Sequence, residues 1–77
     1  MKNKIHFYVG IIPSDEKNLR EYISNMIEDS DQKYFVEIIK EYDDPSGYYT
    51  YQLRGTWEAY KCFLNVSFIK SLSHDEN

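Results

Sequence analysis

The sequence predicts a single small α+β domain, with a mostly antiparallel sheet and one amphipathic helix in the element order β-α-β-β-β. Two patterns indicate this fold class. Apolar residues alternate along several segments, as in strands, and they recur at helical spacing in one early segment. The chain has 77 residues, of which 42% are hydrophobic and 17% aromatic, and this composition is typical of one globular domain.

The first strand is predicted in the segment "KIHFYVGII", which Pro13 ends. Alternate residues on one face of this segment are apolar, and the other face is also partly apolar. A strand that is apolar on both faces usually lies in the middle of its sheet. The fully apolar face consists of Ile5, Phe7, Val9 and Ile11.

An amphipathic helix is predicted to follow. Ser14 suits the N-cap, and Asp15 and Glu16 stand in the first turn, where the helix dipole favours acids. Three acids at the other end oppose the dipole, and a local electrostatic cost with no structural gain indicates a functional role. The apolar stripe is Leu19, Tyr22, Ile23, Met26 and Ile27, and the acids at its end are Glu28, Asp29 and Asp31.

A β-hairpin is predicted in the middle of the chain. The segments "QKYFVEIIKEY" and "YYTYQLR" are rich in β-branched and aromatic residues. The intervening "DDPSG" has Asp44, Pro45 and Gly47 at the positions that a type I turn closed by a glycine bulge requires.

Residues 56–72 allow two interpretations. In the first, "RGTW" is a type II′ turn with Gly55 first, which pairs Arg54 with Trp57 and makes a further strand downstream. In the second, Thr56 caps a helix over residues 57–65, a strand follows at 66–70, and the order becomes the ferredoxin-like β-α-β-β-α-β. The domain is predicted to span residues 1–72, with a polar C-terminal tail at 73–77.

The charge of the chain limits the classes of partner that it is expected to bind. The net charge is −4, and residues 15–44 contain ten acids against four bases. Affinity for nucleic acid rests on Lys and Arg, so we expect no direct nucleic-acid binding and expect a basic protein surface as the partner. The thin core of so short a chain is also compatible with a homodimer.

Neither a cofactor nor a metal site is expected. The only nitrogen and sulfur ligands are His6, Cys62 and His74, which do not have metal-site spacing, and Cys62 is predicted to be a small core residue. A single cysteine cannot form an intramolecular disulfide, which favours a reducing, cytoplasmic location. No segment approaches the roughly 20 apolar residues of a membrane span. The chain is therefore expected not to be an enzyme and to have no membrane partner.

The candidate site combines acids with exposed aromatic residues. Tyr48 and Trp57 are predicted on the face of the hairpin that carries Thr50, Gln52 and Arg54, and Tyr, Trp and Arg are the residues enriched at interface hot spots. The predicted partner-binding residues are Glu28, Asp29, Asp31, Glu41, Asp43, Asp44, Tyr48 and Trp57.

These features favour a small acidic interaction protein. In composition the chain resembles small phage-encoded proteins that bind and inhibit a host enzyme. Its carboxylates are expected to act as a nucleic-acid mimic in the basic groove of a nuclease, a CRISPR effector or another DNA- or RNA-processing enzyme, which is an anti-defence activity. The alternative is a small ligand-binding or dimerising regulatory module, with a pocket between helix and sheet near Tyr8 and Tyr22.

Overall fold

The computed structural model describes residues 4–29 and 34–75, with Asp29 described by its backbone alone. The fold class is confirmed: the domain is α+β, with a four-stranded antiparallel sheet and an amphipathic helix between its first two strands. Of the two element orders that the sequence allows, the structure has β-α-β-β-α-β. The elements are β1 (Lys4–Ile11), a 3₁₀ turn (Pro13–Asp15), α1 (Glu16–Asp29), β2 (Val36–Asp43), β3 (Tyr49–Thr56), α2 (Trp57–Cys62) and β4 (Ser71–His74).

The sheet has the strand order β2-β3-β1-β4, and every neighbouring pair is antiparallel. β1 is central, as predicted. Its residues Phe7, Val9 and Ile11 are fully buried under the helices, while Tyr8 points to the opposite face and donates a hydrogen bond to Asp75 (3.3 Å). We call this opposite face, which no helix covers among the described residues, the open face. Tyr8 and Tyr22 thus lie on different sides of the sheet, and the pocket predicted near both is wrong.

Helix α1 covers the sheet with the predicted stripe as far as Met26, whereas Ile27, which the predicted stripe also included, is 43% exposed. Leu19 and Ile23 are buried in the core, and the Tyr22 hydroxyl donates to the Cys62 carbonyl oxygen (2.7 Å), which ties α1 to α2. The start of the helix differs from the prediction. Ser14 does not cap α1 but lies inside the 3₁₀ turn, because Pro13 begins that turn directly after the strand.

The predicted turn between β2 and β3 is present. The Gly47 amide donates to the Asp44 carbonyl oxygen (2.8 Å), and the Asp44 amide donates to the Tyr48 carbonyl oxygen (2.9 Å). Gly47 has φ +97°, the left-handed conformation that a glycine bulge requires.

The strand predicted to begin at residue 57 is wrong, and the helical alternative is nearer to the structure. The Thr56 hydroxyl accepts a hydrogen bond from the Ala59 amide (3.3 Å), so Thr56 is the N-cap of α2. Gly55 makes no turn and lies within β3, and Arg54 therefore pairs with Glu37 and His6 across the sheet instead of with Trp57. The last strand begins at Ser71, one residue after the predicted 66–70 segment.

Two smaller predictions also need correction. Cys62 ends α2 and is only partly buried, with its thiol donating to the Glu58 carbonyl oxygen (3.4 Å), because residues 57–62 are helical and the predicted alternation does not apply. The predicted tail at 73–77 begins inside the sheet. Ser73 and His74 belong to β4, and the Asp75 amide donates to the His6 carbonyl oxygen (3.0 Å).

Candidate partner-binding site

The predicted acids separate into two groups at opposite ends of the sheet. Glu41, Asp43 and Asp44 lie where β2 turns into β3, and Glu28 and Asp29 lie at the far end of α1. Helix α1 begins near the β2–β3 turn and runs back along the sheet, because it follows the end of β1, where Ile11 pairs with Tyr49. Eight strand residues span about 26 Å, so the two groups cannot form one compact patch. Asp31 lies outside the described residues.

The two predicted aromatic anchors are also far apart. Tyr48 precedes β3 at the turn and is 45% exposed. Trp57 begins α2 at the other end, where its ring contacts Tyr60 and His74. The prediction that Trp57 shares a face with Thr50, Gln52 and Arg54 is wrong, because residue 57 enters a helix on the covered side of the sheet.

Five carboxylates gather at the turn end, and we call them the acidic end: Asp15, Glu16, Glu41, Asp43 and Asp44. The elements bring them together because α1 starts where β2 ends. Among the described residues, the cations closest to them in sequence are Lys17 and Arg20 on α1 and Lys40 on β2, so five acids stand against three bases. The acidic end therefore carries an excess of negative charge on two adjoining elements, and the turn of the hairpin holds part of it in a fixed geometry.

Asp43 and Asp44 are both exposed on this end. In the described part of the chain, the Asp43 side chain has no hydrogen-bond or ion-pair partner. The Asp44 carboxylate accepts a hydrogen bond from the Ser46 amide (2.9 Å), and this bond lowers the pKa of Asp44 below its ordinary value. Asp44 therefore stays ionised at neutral pH while it also stabilises the turn.

Arg20 links the acids of α1 to those of β2. Its Nη2 donates to Glu41 Oε2 (2.6 Å) and makes a longer contact with Glu16 Oε2 (3.4 Å). Glu41 is half exposed, and Arg20 and Glu16 are only slightly less so. Exposed ion pairs of this kind contribute only about 0–1 kcal/mol, because water competes for both charges.

Tyr51 lies under this ion pair. It is only 1% exposed, and its hydroxyl is the one buried side-chain polar atom without a hydrogen-bond partner in the part of the chain that the structure describes. Burial, followed by the negative charge of Glu16, raises the pKa of Tyr51 to about 12, and the Arg20 guanidinium lies 5.9 Å from its ring centre. The alternation of β3 indicated that Tyr51 points inward, but nothing in the sequence indicated its polar neighbours.

The open face is polar and mixed in charge. Arg54 Nη1 donates to Glu37 Oε2 (2.7 Å), and the neighbouring row contains Lys40, Gln52 and Tyr8. A β-bulge at Ile39 places Glu37 and Lys40 on the same face although they are three residues apart. The charges here partly neutralise one another, so this face lacks the uniform negative charge of the acidic end.

The described residues include no group of three or more His, Cys, Asp or Glu side chains arranged to hold a metal ion. His6 lies on the open face, and His74 contacts two aromatic rings on the covered side. Within the same described ranges, no helix is both long and apolar enough to cross a bilayer. No protein-family model, curated protein or solved structure matches the chain.

Proposed function

We propose that this chain is a small, non-enzymatic, cytoplasmic interaction protein that binds and inhibits a host protein through its acidic end. The partner is a nucleic-acid-processing enzyme, such as a nuclease or a CRISPR effector, whose basic groove normally holds phosphates. In that groove the carboxylates of the acidic end replace phosphates, and Tyr48 supplies apolar contact beside them.

One observation carries this proposal. Asp43 and Asp44 are exposed and adjacent, Asp43 ends β2 and Asp44 begins the hydrogen-bonded turn, and the exposed Tyr48 follows that turn. A rigid acidic loop with an aromatic neighbour loses little conformational freedom on binding, which is a requirement for affinity from a small contact. Glu28 and Asp29 are excluded from this interface because they lie at the other end of α1.

The experiment compares charge reversal at the two ends. One variant carries Asp43→Lys and Asp44→Lys, and the matched control carries Glu28→Lys and Asp29→Lys, so that both change the net charge equally. Tagged proteins capture partners from a bacterial lysate, and each captured enzyme is then purified and titrated with every variant. Circular dichroism verifies that each variant is folded.

We expect the acidic-end variant to bind at least about 100-fold more weakly than the unmodified protein, because reversed charges meet Lys and Arg as like charges. The control is expected to bind at nearly the unmodified level. A short DNA duplex should displace the protein from its partner, and rising salt should weaken the complex. Equal loss in both variants, or a complex that DNA cannot displace, would reject the proposal.

A further inference from the structure

The ion pair between Arg20 and the two glutamates uses the guanidinium incompletely. One nitrogen, Nη2, contacts both Glu16 and Glu41, and the other Arg20 nitrogens donate no hydrogen bond within the described residues. An arginine that directs two guanidinium N–H groups at one carboxylate forms two parallel hydrogen bonds, and this bidentate pair is stronger than a single hydrogen bond. Arg20 therefore fills the gap between Glu16 and Glu41 without forming a bidentate pair with either carboxylate.

Beneath the same gap lies a polar group that lacks a partner. The Tyr51 hydroxyl is buried beside the Glu16 carboxylate, with Glu41 and Arg20 nearby, and it forms no hydrogen bond of acceptable geometry, although its closeness to Glu16 contributes to its raised pKa. A buried polar group without a partner is uncommon in folded proteins and calls for an explanation. A bound donor, such as an N–H group, would give this hydroxyl oxygen its missing hydrogen bond.

We propose that the gap between Glu16 and Glu41 is a receptor site for one arginine side chain of the partner, which Arg20 fills in the free protein, with the Tyr51 hydroxyl oxygen as an additional acceptor. The incoming guanidinium donates to both carboxylates and to Tyr51, and Arg20 swings into solvent. Because the Arg20 ion pair is half exposed, its displacement costs little. This inference rests on the proposed function and names the chemistry that the acidic end receives.

The chain itself contains a matched control for this site. Arg54 and Glu37 form a second ion pair at nearly the same distance (2.7 Å) and with similar exposure, but on the open face. Among the residues described, Tyr51 is alone in having a buried hydroxyl without a partner, so the Arg54 pair has none beside it. Arg20→Ala and Arg54→Ala therefore make the same charge change, and only the first opens the proposed receptor site.

The test measures binding of acetyl-arginine-amide by changes in the backbone amide NMR signals, with acetyl-lysine-amide as the comparison. We expect Arg20→Ala to bind the arginine probe about twofold to fivefold more tightly than the unmodified protein, because the competing side chain is gone. Adding Tyr51→Phe to Arg20→Ala should weaken binding about threefold to tenfold. The lysine probe should bind more weakly because its ammonium group lacks the planar, bidentate donor geometry of a guanidinium.

Three results would overturn the receptor site. Arg54→Ala could tighten binding of the arginine probe as much as Arg20→Ala does, Tyr51→Phe could leave that binding unchanged, or the arginine and lysine probes could bind equally well. The probe experiment needs no partner protein, so its outcome is separable from the proposed function. If the arginine probe binds as expected but no partner is found that DNA displaces, the receptor site is supported and the proposed function is rejected. If a partner binds the acidic end and its affinity is unchanged by Arg20→Ala and by Tyr51→Phe, the proposed function is supported and the receptor site is rejected.

Discussion

The imidazole of His74 meets the indole of Trp57 edge to face, with the ring centres 5.4 Å apart and the planes at 89°. Tyr60 contacts both rings, at 5.0 Å from His74 and 5.1 Å from Trp57. The three rings join the last strand to the second helix. Strand β4 is therefore part of the packed domain, although its composition is that of a solvated tail.

The first prediction concerns His74. We expect His74→Ala to lower the free energy of unfolding by about 1 kcal/mol, since aromatic pairs contribute roughly that amount beyond the area they bury. The urea midpoint measures the change, and the fluorescence of Trp57, the only tryptophan, should shift as its neighbour is lost. Ser73→Ala on the opposite, exposed side of β4 is the control. Equal midpoints for the two variants would contradict the packing role of His74.

The second prediction concerns the buried stripe of α1. Ile23 is 7% exposed, whereas Ile27, one turn later, is 43% exposed. Ile23→Asp should cost about 4 kcal/mol or more because it buries a carboxylate without a partner, and a loss of that size unfolds a small domain. Ile27→Asp should leave the helical circular dichroism signal nearly unchanged. A folded Ile23→Asp protein would refute the assignment of the stripe.

The third prediction concerns the Tyr51 hydroxyl. Tyr51→Phe keeps the ring in the core and removes a buried polar group without a partner. We expect the free energy of unfolding to rise by about 1 kcal/mol, because the desolvation cost of that group disappears. Thermal unfolding of the two proteins side by side measures this. A less stable Tyr51→Phe variant would show that the hydroxyl has a stabilising partner in solution.

The fourth prediction concerns stability at alkaline pH. The ordinary pKa of tyrosine is 10.0, and the pKa of Tyr51 in the folded protein is about 12. The folded state favours the neutral form, so the contribution is fully present below pH 10.0 and is lost as the pH rises towards about 12. The unmodified protein should lose stability more steeply in this interval than Tyr51→Phe does. Parallel pH profiles would contradict the raised pKa, since the two proteins share every other tyrosine.

The fifth prediction compares two strand glycines. A Cβ on Gly55 would collide with the backbone carbonyl oxygen of Phe35, which is held in place by a hydrogen bond from the Thr56 amide (2.9 Å). A Cβ on Gly10 would clash only with the side-chain oxygen of Ser71, which can rotate away, and its other contacts with Ser71 are at ordinary distances. Gly55→Ala should therefore reduce the urea midpoint far more than Gly10→Ala does. The reverse order would show that the β2–β3 contact is more adaptable than its geometry indicates.

Local patterns were sufficient to predict α1 and the β2–β3 hairpin. The stripe of α1 spans nine residues, and the turn chemistry of Asp44, Pro45 and Gly47 depends only on neighbouring residues. Residues 57–72 could not be assigned because their apolar residues alternate as in a strand and spread all round a helical wheel, whereas Thr56 suits the N-cap of a helix. Packing decides this segment: Tyr60 and Phe63 contact the ring of Phe7, which is more than 50 residues away in sequence.

The candidate site was predicted as residues but not as an arrangement. The acids are evident in the sequence, yet their division between two ends depends on the direction in which α1 runs along the sheet. Arg20 and Glu41 are 21 residues apart, and no local pattern indicates that they meet. The buried hydroxyl of Tyr51 is likewise a product of tertiary packing, because any inward-facing tyrosine of β3 would look the same in sequence.

The β-bulge in β2 has a consequence at high protein concentration. β2 is an edge strand of eight residues with Ile39 and Tyr42 exposed, and such an edge usually recruits further strands. The bulge at Ile39 reverses which side chains of β2 point to each face of the sheet, halfway along the strand. A regular strand paired with this edge can therefore align its apolar face with one half of β2 but not with the other half. Stacking of copies into fibrils would require each new strand to bulge at the same place, so we expect the bulge to disfavour amyloid-like growth along this edge.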